Sequence, residues 1–233
     1  MPRQITPVLK EIDEISPLLD VLTPRQREFL KKNYEIKHYK KNEIIYVEGG
    51  EAKELLCLMH GKVKIYREGA GGRLQIMRIL TAIEYFGYRA LLAEEPYVTS
   101  AMAIEPTTVY IIPGEVFISL LKENNDLAFY FIKALAIDLG ISDTRTVTLT
   151  QSHIRGRLAE SLIFLKNTYG YEEDGVTISV YLSREDLASL SNMTTSNAIR
   201  ILTAFVNEKM VTVDGRKIKI IDEEKLSKIS KFG

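Results

Sequence analysis

The chain has 233 residues, of which 45% are hydrophobic and 27% charged, a globular composition at a length that favours two compact units. Thirty-one Lys and Arg balance 31 Asp and Glu, so net charge by itself argues for neither a nucleic acid nor an acidic membrane. The single cysteine, Cys57, excludes an intramolecular disulfide, and also any four-thiolate iron–sulfur site or multi-cysteine zinc site built from one chain.

The start, MPRQITPVLKEIDEISPLL, carries early acids and lacks the apolar core of a secretory signal. The most apolar stretch, Leu127 to Ile141, contains Lys133 and Asp138 and is too short to span a bilayer. Together these predict a cytoplasmic protein with no membrane partner.

In chain order, Thr23-Pro24 followed by Arg25-Gln26-Arg27-Glu28-Phe29-Leu30 predicts a capped helix with proline at its first position. From Ile36 to Pro113 the texture becomes short runs: Glu43–Val47, Leu55–Met59, Lys62–Tyr66, Leu74–Leu80 and Thr108–Ile112. Gly49-Gly50, His60-Gly61 and Gly69-Ala70-Gly71-Gly72 punctuate them, a spacing that predicts an antiparallel sandwich or barrel.

Residues 114 to 149 turn helical. Leu127, Tyr130, Ala134, Ile137 and Ile141 recur three and four apart, with Phe131, Leu135 and Leu139 on a second line. A helix apolar on two sides must cover both. Pairing with a second copy of itself is one solution and packing within the monomer is the other. Further on, Arg155–Tyr169 reads as a helix, Val176–Leu182 as a strand, and Met210–Val213 with Lys217–Ile221 as a hairpin about Asp214-Gly215.

The informative stretch is LSREDLASLSNMTTSNAIRILTAFVNEKMV, Leu182 to Val211. Ser183 with Asp186 three residues on predicts a capped helix start, and the pattern breaks at Ser191-Asn192. Thr194 then caps a second helix whose Ala198, Ile201, Leu202 and Phe205 face inward, so the pair makes a helix-turn-helix. Thr195, Ser196, Asn197 and Arg200 are left facing outward, and these are side-chain types that reach base edges and phosphates. The flanking strands would form a wing, with Arg216, Lys217 and Lys219 placed for phosphates. The predicted DNA contacts are Arg184, Thr194, Thr195, Ser196, Asn197, Arg200 and Lys217.

The order of parts resembles the CRP/FNR family of bacterial transcription regulators, from about Leu18 to Ser230. The signposts are Val47-Glu48-Gly49-Gly50, Met59-His60-Gly61-Lys62-Val63, Phe86-Gly87-Tyr88-Arg89-Ala90-Leu91-Leu92 and Leu182-Ser183-Arg184-Glu185-Asp186-Leu187-Ala188. Ala198-Ile199-Arg200-Ile201-Leu202 matches the recognition helix and Lys217-Ile218-Lys219-Ile220 the wing. The resemblance implies an α+β fold: an N-terminal double-stranded β-roll (cupin-like and cyclic-nucleotide-binding-like), a long dimerisation helix at about 115–149, and a C-terminal winged helix-turn-helix. The implied domains are residues 1–149 and 150–233. The implied partners are double-stranded DNA at a palindromic site, a second copy of the chain, and RNA polymerase.

Departures from the family pattern shape the rest. Cyclic-AMP-responsive members place a Glu where Tyr88 stands, and an Arg-Ser pair where Val98-Thr99 or Thr99-Ser100 falls. A cyclic phosphate would lose its charge partner, which argues against cyclic AMP. An effector pocket in the β-roll would then involve Gly87, Tyr88, Arg89, Ala90, Thr99 and Ser100, although Arg89 is better read as a surface residue on a short helix. Iron–sulfur relatives use an N-terminal cysteine cluster that this chain lacks. Haem would have to draw its ligands from His38, His60, His153, Cys57 or methionine. His60 beside Gly61 in an apparent hairpin turn and His153 in the inter-domain segment do not look like designed ligands, which leaves haem a minor alternative. No cofactor is identifiable. In the recognition helix a cytosine-reading Glu is replaced by Ser196 and a family Arg by Thr195, while the guanine-reading Arg is kept as Arg200.

Two other functions compete. A cupin-like enzyme needs several converging His and carboxylate ligands, and only His38 and His60 fall in the β region, so catalysis is not expected. A ligand-sensing or scaffold protein could use its helix-turn-helix for protein contacts instead of DNA, and salt dependence separates that reading from DNA binding.

Overall fold

In the computed structural model, residues 17–69 and 71–232 are described. They divide into two compact units, one up to Lys64 together with Ile79–Ala136, the other Ile65–Arg78 together with Ile137 onward. Among the described residues no helix is long and apolar enough to cross a membrane.

Two short helices come first, α1 (Pro17–Val21) and α2 (Pro24–Lys31). The predicted cap of α2 is present as a capping box: the Thr23 side chain accepts from the Gln26 N–H, and the Gln26 side chain accepts from the Thr23 N–H. Eight strands follow: β1 (Glu35–Tyr39), β2 (Ile44–Tyr46), β3 (Glu54–His60), β4 (Lys62–Glu68), β5 (Leu74–Thr81), β6 (Glu84–Phe86), β7 (Ser100–Ala103) and β8 (Thr107–Pro113). The short helix α3 (Tyr88–Ala93) lies between β6 and β7. The strands form two four-stranded sheets, in the orders β1-β8-β3-β6 and β2-β7-β4-β5. This is the antiparallel roll that the glycine punctuation predicts. All five predicted strand runs are strands, joined by β1, β6 and β7, which the pattern did not single out.

One glycine is required by close approach. Gly61 turns the chain between β3 and β4 at φ +88°, and a Cβ there would stand 2.5 Å from the Pro106 carbonyl oxygen. Cys57, on β3, is fully buried, and burial pushes its thiol up to about 12 while it donates to the Met59 Sδ. It is a small packed side chain, as its place in Leu55–Met59 predicts.

The helical region is two helices, α4 (Gly114–Glu123) and α5 (Asn125–Gln151), where a single helix over about 115–149 was expected. Asn124 divides them: its backbone is extended, and its side chain accepts from the Leu127 N–H while donating to the Val21 carbonyl and to Gln26. Within α5 the assignment of faces needs correction. Leu127 and Phe131 are fully buried in the core of the first unit, where the Phe131 ring meets Tyr85, Tyr88, Phe117 and Tyr130 edge-on. Tyr130, Ala134 and Leu135 pack against the same core. The roll thus takes up Leu127 and Phe131, while Tyr130, Ala134 and Leu135 are only partly buried. Ile137 and Ile141 are exposed, and so are Phe129, Ile132 and Leu139.

The far half of α5 has a composition unlike the first. Gly140 is followed by Ser142, Thr144, Thr146, Thr148 and Thr150. The four threonine hydroxyls donate to the carbonyls of Gly140, Ser142, Thr144 and Thr146, each one turn back.

The remaining elements are α6 (Ile154–Tyr169), α7 (Arg184–Leu190), α8 (Thr195–Asn207), the hairpin β9 (Val211–Asp214) with β10 (Lys217–Ile220), and α9 (Glu223–Phe232), which the pattern did not single out. The predicted strand Val176–Leu182 is not one. It reaches the hairpin through the Ile178 N–H to the Ile218 carbonyl and the Ile220 N–H to the Val176 carbonyl. Pairing then stops, because the Ser179 N–H donates back to the Gly170 carbonyl and its hydroxyl to the Tyr169 carbonyl.

Candidate nucleic-acid interface

The site is built on the turn between α7 and α8. Ser183 starts α7, its hydroxyl accepting from the Asp186 N–H at 2.9 Å and donating to the Asp186 carboxylate at 2.7 Å. Leu187, Ala188 and Leu190 turn that helix inward. The helix ends when the buried Ser191 hydroxyl donates to the Leu187 carbonyl and Asn192 takes a left-handed backbone at φ +50°. Thr194 then caps α8 by accepting from the Asn197 N–H at 3.3 Å. Ala198, Ile201, Leu202 and Phe205 are buried, the four positions the spacing places inward.

Thr194, Thr195, Ser196, Ile199, Arg200 and Thr203 are left exposed on the outer side, with Asn197 half-buried. The Arg200 guanidinium donates to the Asn197 amide oxygen at 3.3 Å, so the two side chains lie together. Ile199 and Thr203 are additions to the predicted set.

The basic residues around this face differ in what they touch. Arg184 donates to the Gly215 carbonyl at 2.7 Å, which ties the first helix of the motif to the wing turn. Lys217 faces Glu172 at 3.6 Å and lies over the Tyr181 ring, and Lys219 donates to Asp174 at 3.1 Å. Arg216, at the exposed tip of the hairpin, has no ion-pair partner among the described residues. These pairings join residues about 40 apart in sequence, which is why spacing gave no sign of them.

Behind the interface the turn is held from two sides. Arg145, nearly buried, donates to the Leu190 carbonyl at 2.9 Å and stacks over Phe164 with 4.7 Å to the ring centre. Gln75 donates to the same carbonyl at 3.4 Å, and Arg157 donates to the Asn192 carbonyl at 3.0 Å. Burial pushes the Glu160 carboxyl up and the Arg145 guanidinium down, each charge partly offsetting the desolvation of the other. The helix-turn-helix therefore rests on charged hydrogen bonds to carbonyls that its own geometry leaves open at the end of α7.

The six predicted effector-pocket residues differ in exposure. Gly87 is left-handed and leads into α3 at φ +82°, and Thr99 is half-buried. The Tyr88 ring is buried against Phe131, and Ala90 is buried as well. Ser100 is buried and accepts from the Glu48 N–H. Arg89 is exposed and pairs with Glu95 at 3.1 Å, the surface role that its place on a short helix allows. Tyr88 and Ala90 face the core because α3 is a single short helix anchored by that side. A different hollow exists in the roll, a cavity of about 200 Å³ lined by residues that include Lys37, Tyr39, Glu51, Lys53 and Glu54. Its wall is formed by Tyr46 and Tyr97, stacked with ring centres 3.9 Å apart. His38, on the edge strand β1, lies beside Thr108, His60 is exposed at the end of β3 before Gly61, and His153 precedes α6.

Two family patterns match the chain: the Cyclic nucleotide-binding domain over residues 36–124, and the Crp-like helix-turn-helix domain over residues 156–229. The chain belongs to the CRP/FNR family of transcription regulators. A relative in Mycobacterium tuberculosis, the CRP-like cAMP-activated global transcriptional regulator, is 22% identical over 200 residues, covering 85% of this chain and 89% of its own. The Anaerobic regulatory protein of Bacillus subtilis is 26% identical over 197 residues, covering 84% and 83%. Among solved structures, FixK2 of Bradyrhizobium japonicum superposes with a TM-score of 0.76 at 20% identity, over 84% of this chain and 96% of that one. These structural likenesses bear on the fold. This CRP/FNR chain is thus a DNA-binding transcription regulator with a β-roll, a long helix and a winged helix-turn-helix.

Proposed function

We propose that the chain acts as a homodimer that reads a palindromic DNA site through α8 of each copy, with residues 150–233 as the DNA-binding domain and residues 1–149 as the sensing and dimerising domain. The observation that carries the reading is the outer face of α8, where Thr195, Ser196 and Arg200 stand exposed while the opposite face is fully buried. Two such helices related by a two-fold axis enter successive major grooves about 34 Å apart. Arg200 suits guanine, Ser196 and Thr195 suit base edges or phosphates, and Arg216 and Lys217 suit the flanking backbone. The cap residue Thr194 orients α8, while Asn197 and Arg184 position Arg200 and the wing.

The second copy would dock on the exposed side of α5. Phe129, Ile132, Ala136 and Leu139 follow one another at intervals of three and four, as a helix seam requires. This seam differs from the predicted one, of which Leu127 and Phe131 are used by the roll while Ile137 and Ile141 are exposed.

The roll would sense something other than cyclic AMP. The residues present do not fit a cyclic phosphate: Tyr88 is turned into the core, no arginine stands at Val98 or Thr99, and Glu51 and Glu54 line the inner cavity. An anion placed there would meet these carboxylates as well as Lys37 and Lys53, of which Lys53 is already paired with Glu51. A bound effector would act by favouring one of two orientations of the DNA-binding domains, which needs differential affinity for the two states. Contact with RNA polymerase and a cytoplasmic location belong to the same reading.

Selection of genomic fragments by the purified chain at fixed moderate salt tests it. The expected result is an enriched palindrome whose binding weakens steeply as salt rises. Enrichment of no sequence, with and without a panel of metabolites, would refute the DNA-reading role and leave the protein-contact alternative.

A further inference from the structure

Ile199 is the one apolar side chain among the exposed residues Thr194 to Thr203 of the recognition helix and its cap. It is 46% exposed and plays no part in the buried set Ala198, Ile201, Leu202 and Phe205. Ser196 lies three residues before it and Thr203 four after, so it occupies the middle of the outward stripe, with Arg200 beside it. A β-branched residue is a mediocre helix former, and an exposed one receives no packing in return. Elsewhere on a surface a lone isoleucine needs no explanation. Here it stands where the polar readers stand.

Its neighbours sharpen the point. The Thr203 hydroxyl donates to the Ile199 carbonyl at 2.9 Å, so that donor is engaged within the helix. The Arg200 guanidinium is drawn toward Asn197, leaving the Ile199 side chain uncovered by its neighbour. The major groove offers a single apolar group on its base edges, the C5 methyl of thymine.

We infer that Ile199 reads the methyl group of a thymine adjacent to the guanine contacted by Arg200, making it a specificity residue of the half-site. The inference rests on the DNA-reading role proposed above. It adds a requirement that hydrogen bonding does not supply, since an A·T pair stripped of its methyl keeps every donor and acceptor.

The test compares the intact wild-type chain with Ile199→Ala and Ile199→Val. Sites are recovered from cells by crosslinking, where any natural effector is present, and the consensus is then bound in vitro with each thymine replaced in turn by deoxyuridine. One position beside the guanine is expected to weaken wild-type binding about four-fold per half-site, the value of burying one methyl group. Ile199→Val should keep that sensitivity and Ile199→Ala should lose it, with the guanine preference retained in all three. A recovered consensus in which no thymine-to-deoxyuridine change matters, or in which Ile199→Ala remains equally sensitive, overturns the inference and leaves DNA reading intact. Recovery of no consensus from cells overturns both.

Discussion

Asp174 organises the wing from outside it. Its carboxylate accepts from the N–H groups of Val176 and Thr177, from the Thr177 hydroxyl at 2.6 Å, and from Lys219 on β10 at 3.1 Å. The hydroxyl and backbone of Thr177 come first, then the backbone of Val176, in holding this carboxyl well below the usual carboxylate range, with Lys219 adding less. A depressed carboxyl stabilises the fold at every pH above its ordinary value and loses that contribution as pH falls through the depressed one. Melting wild type and Asp174→Asn side by side should therefore show a gap that is full at pH 7. It should close only well below about pH 4, the ordinary value for an aspartate. A gap independent of pH would mean that shape and not charge holds the turn.

At the scale of single elements, α5 is the instructive case. Leu127→Ala and Phe131→Ala each empty a fully buried site, and such truncations cost about 2–5 kcal/mol. Phe129→Ala removes a side chain that is 66% exposed and should change the stability of the isolated chain by less than about 0.5 kcal/mol. Chemical denaturation of the three variants at low protein concentration checks the contrast. The same helix shows what a sequence can reveal. Spacing finds a long two-sided helix, because its period is local. It cannot say that the partner of Leu127 and Phe131 is a set of aromatic rings from β6, α3 and α4, since those contacts join distant parts of the chain. The caps at Thr23, Ser183 and Thr194 were legible for the opposite reason, as each involves residues three apart. Strand β1 escaped notice because EIKHY is polar and mostly exposed, and Val176–Leu182 read as a strand because a β-like composition does not reveal the return of Ser179 to Gly170. In the candidate site the outward residues of α8 were legible from helical period. The attachments of Arg184, Lys217 and Lys219 were not.

For the molecule as a whole, the proposed assembly makes a joint prediction about mass and affinity. Replacing both Phe129 and Leu139 by serine on the exposed side of α5 should leave the monomer folded, with unchanged circular dichroism. Sedimentation should shift from two copies toward one, and affinity for a palindromic site should fall more than about ten-fold, because the second half-site is then no longer held nearby. A variant that still sediments as two copies would place the pairing surface elsewhere on the chain.

The threonine ladder in the far half of α5 carries a consequence of its own. Each hydroxyl already bonds a carbonyl one turn back, so a turn that opens there keeps local donors within reach of its carbonyls. The residues themselves, β-branched and following Gly140, favour the helix weakly. One end of the helix is locked by aromatic rings, and the other is held at Arg145 by the Leu190 carbonyl and the Phe164 ring, so only the turns beyond Arg145 are left to change at small cost. The hydroxyl ladder thus makes the stretch beyond Arg145 the place in α5 where a turn opens with the least loss of hydrogen bonding.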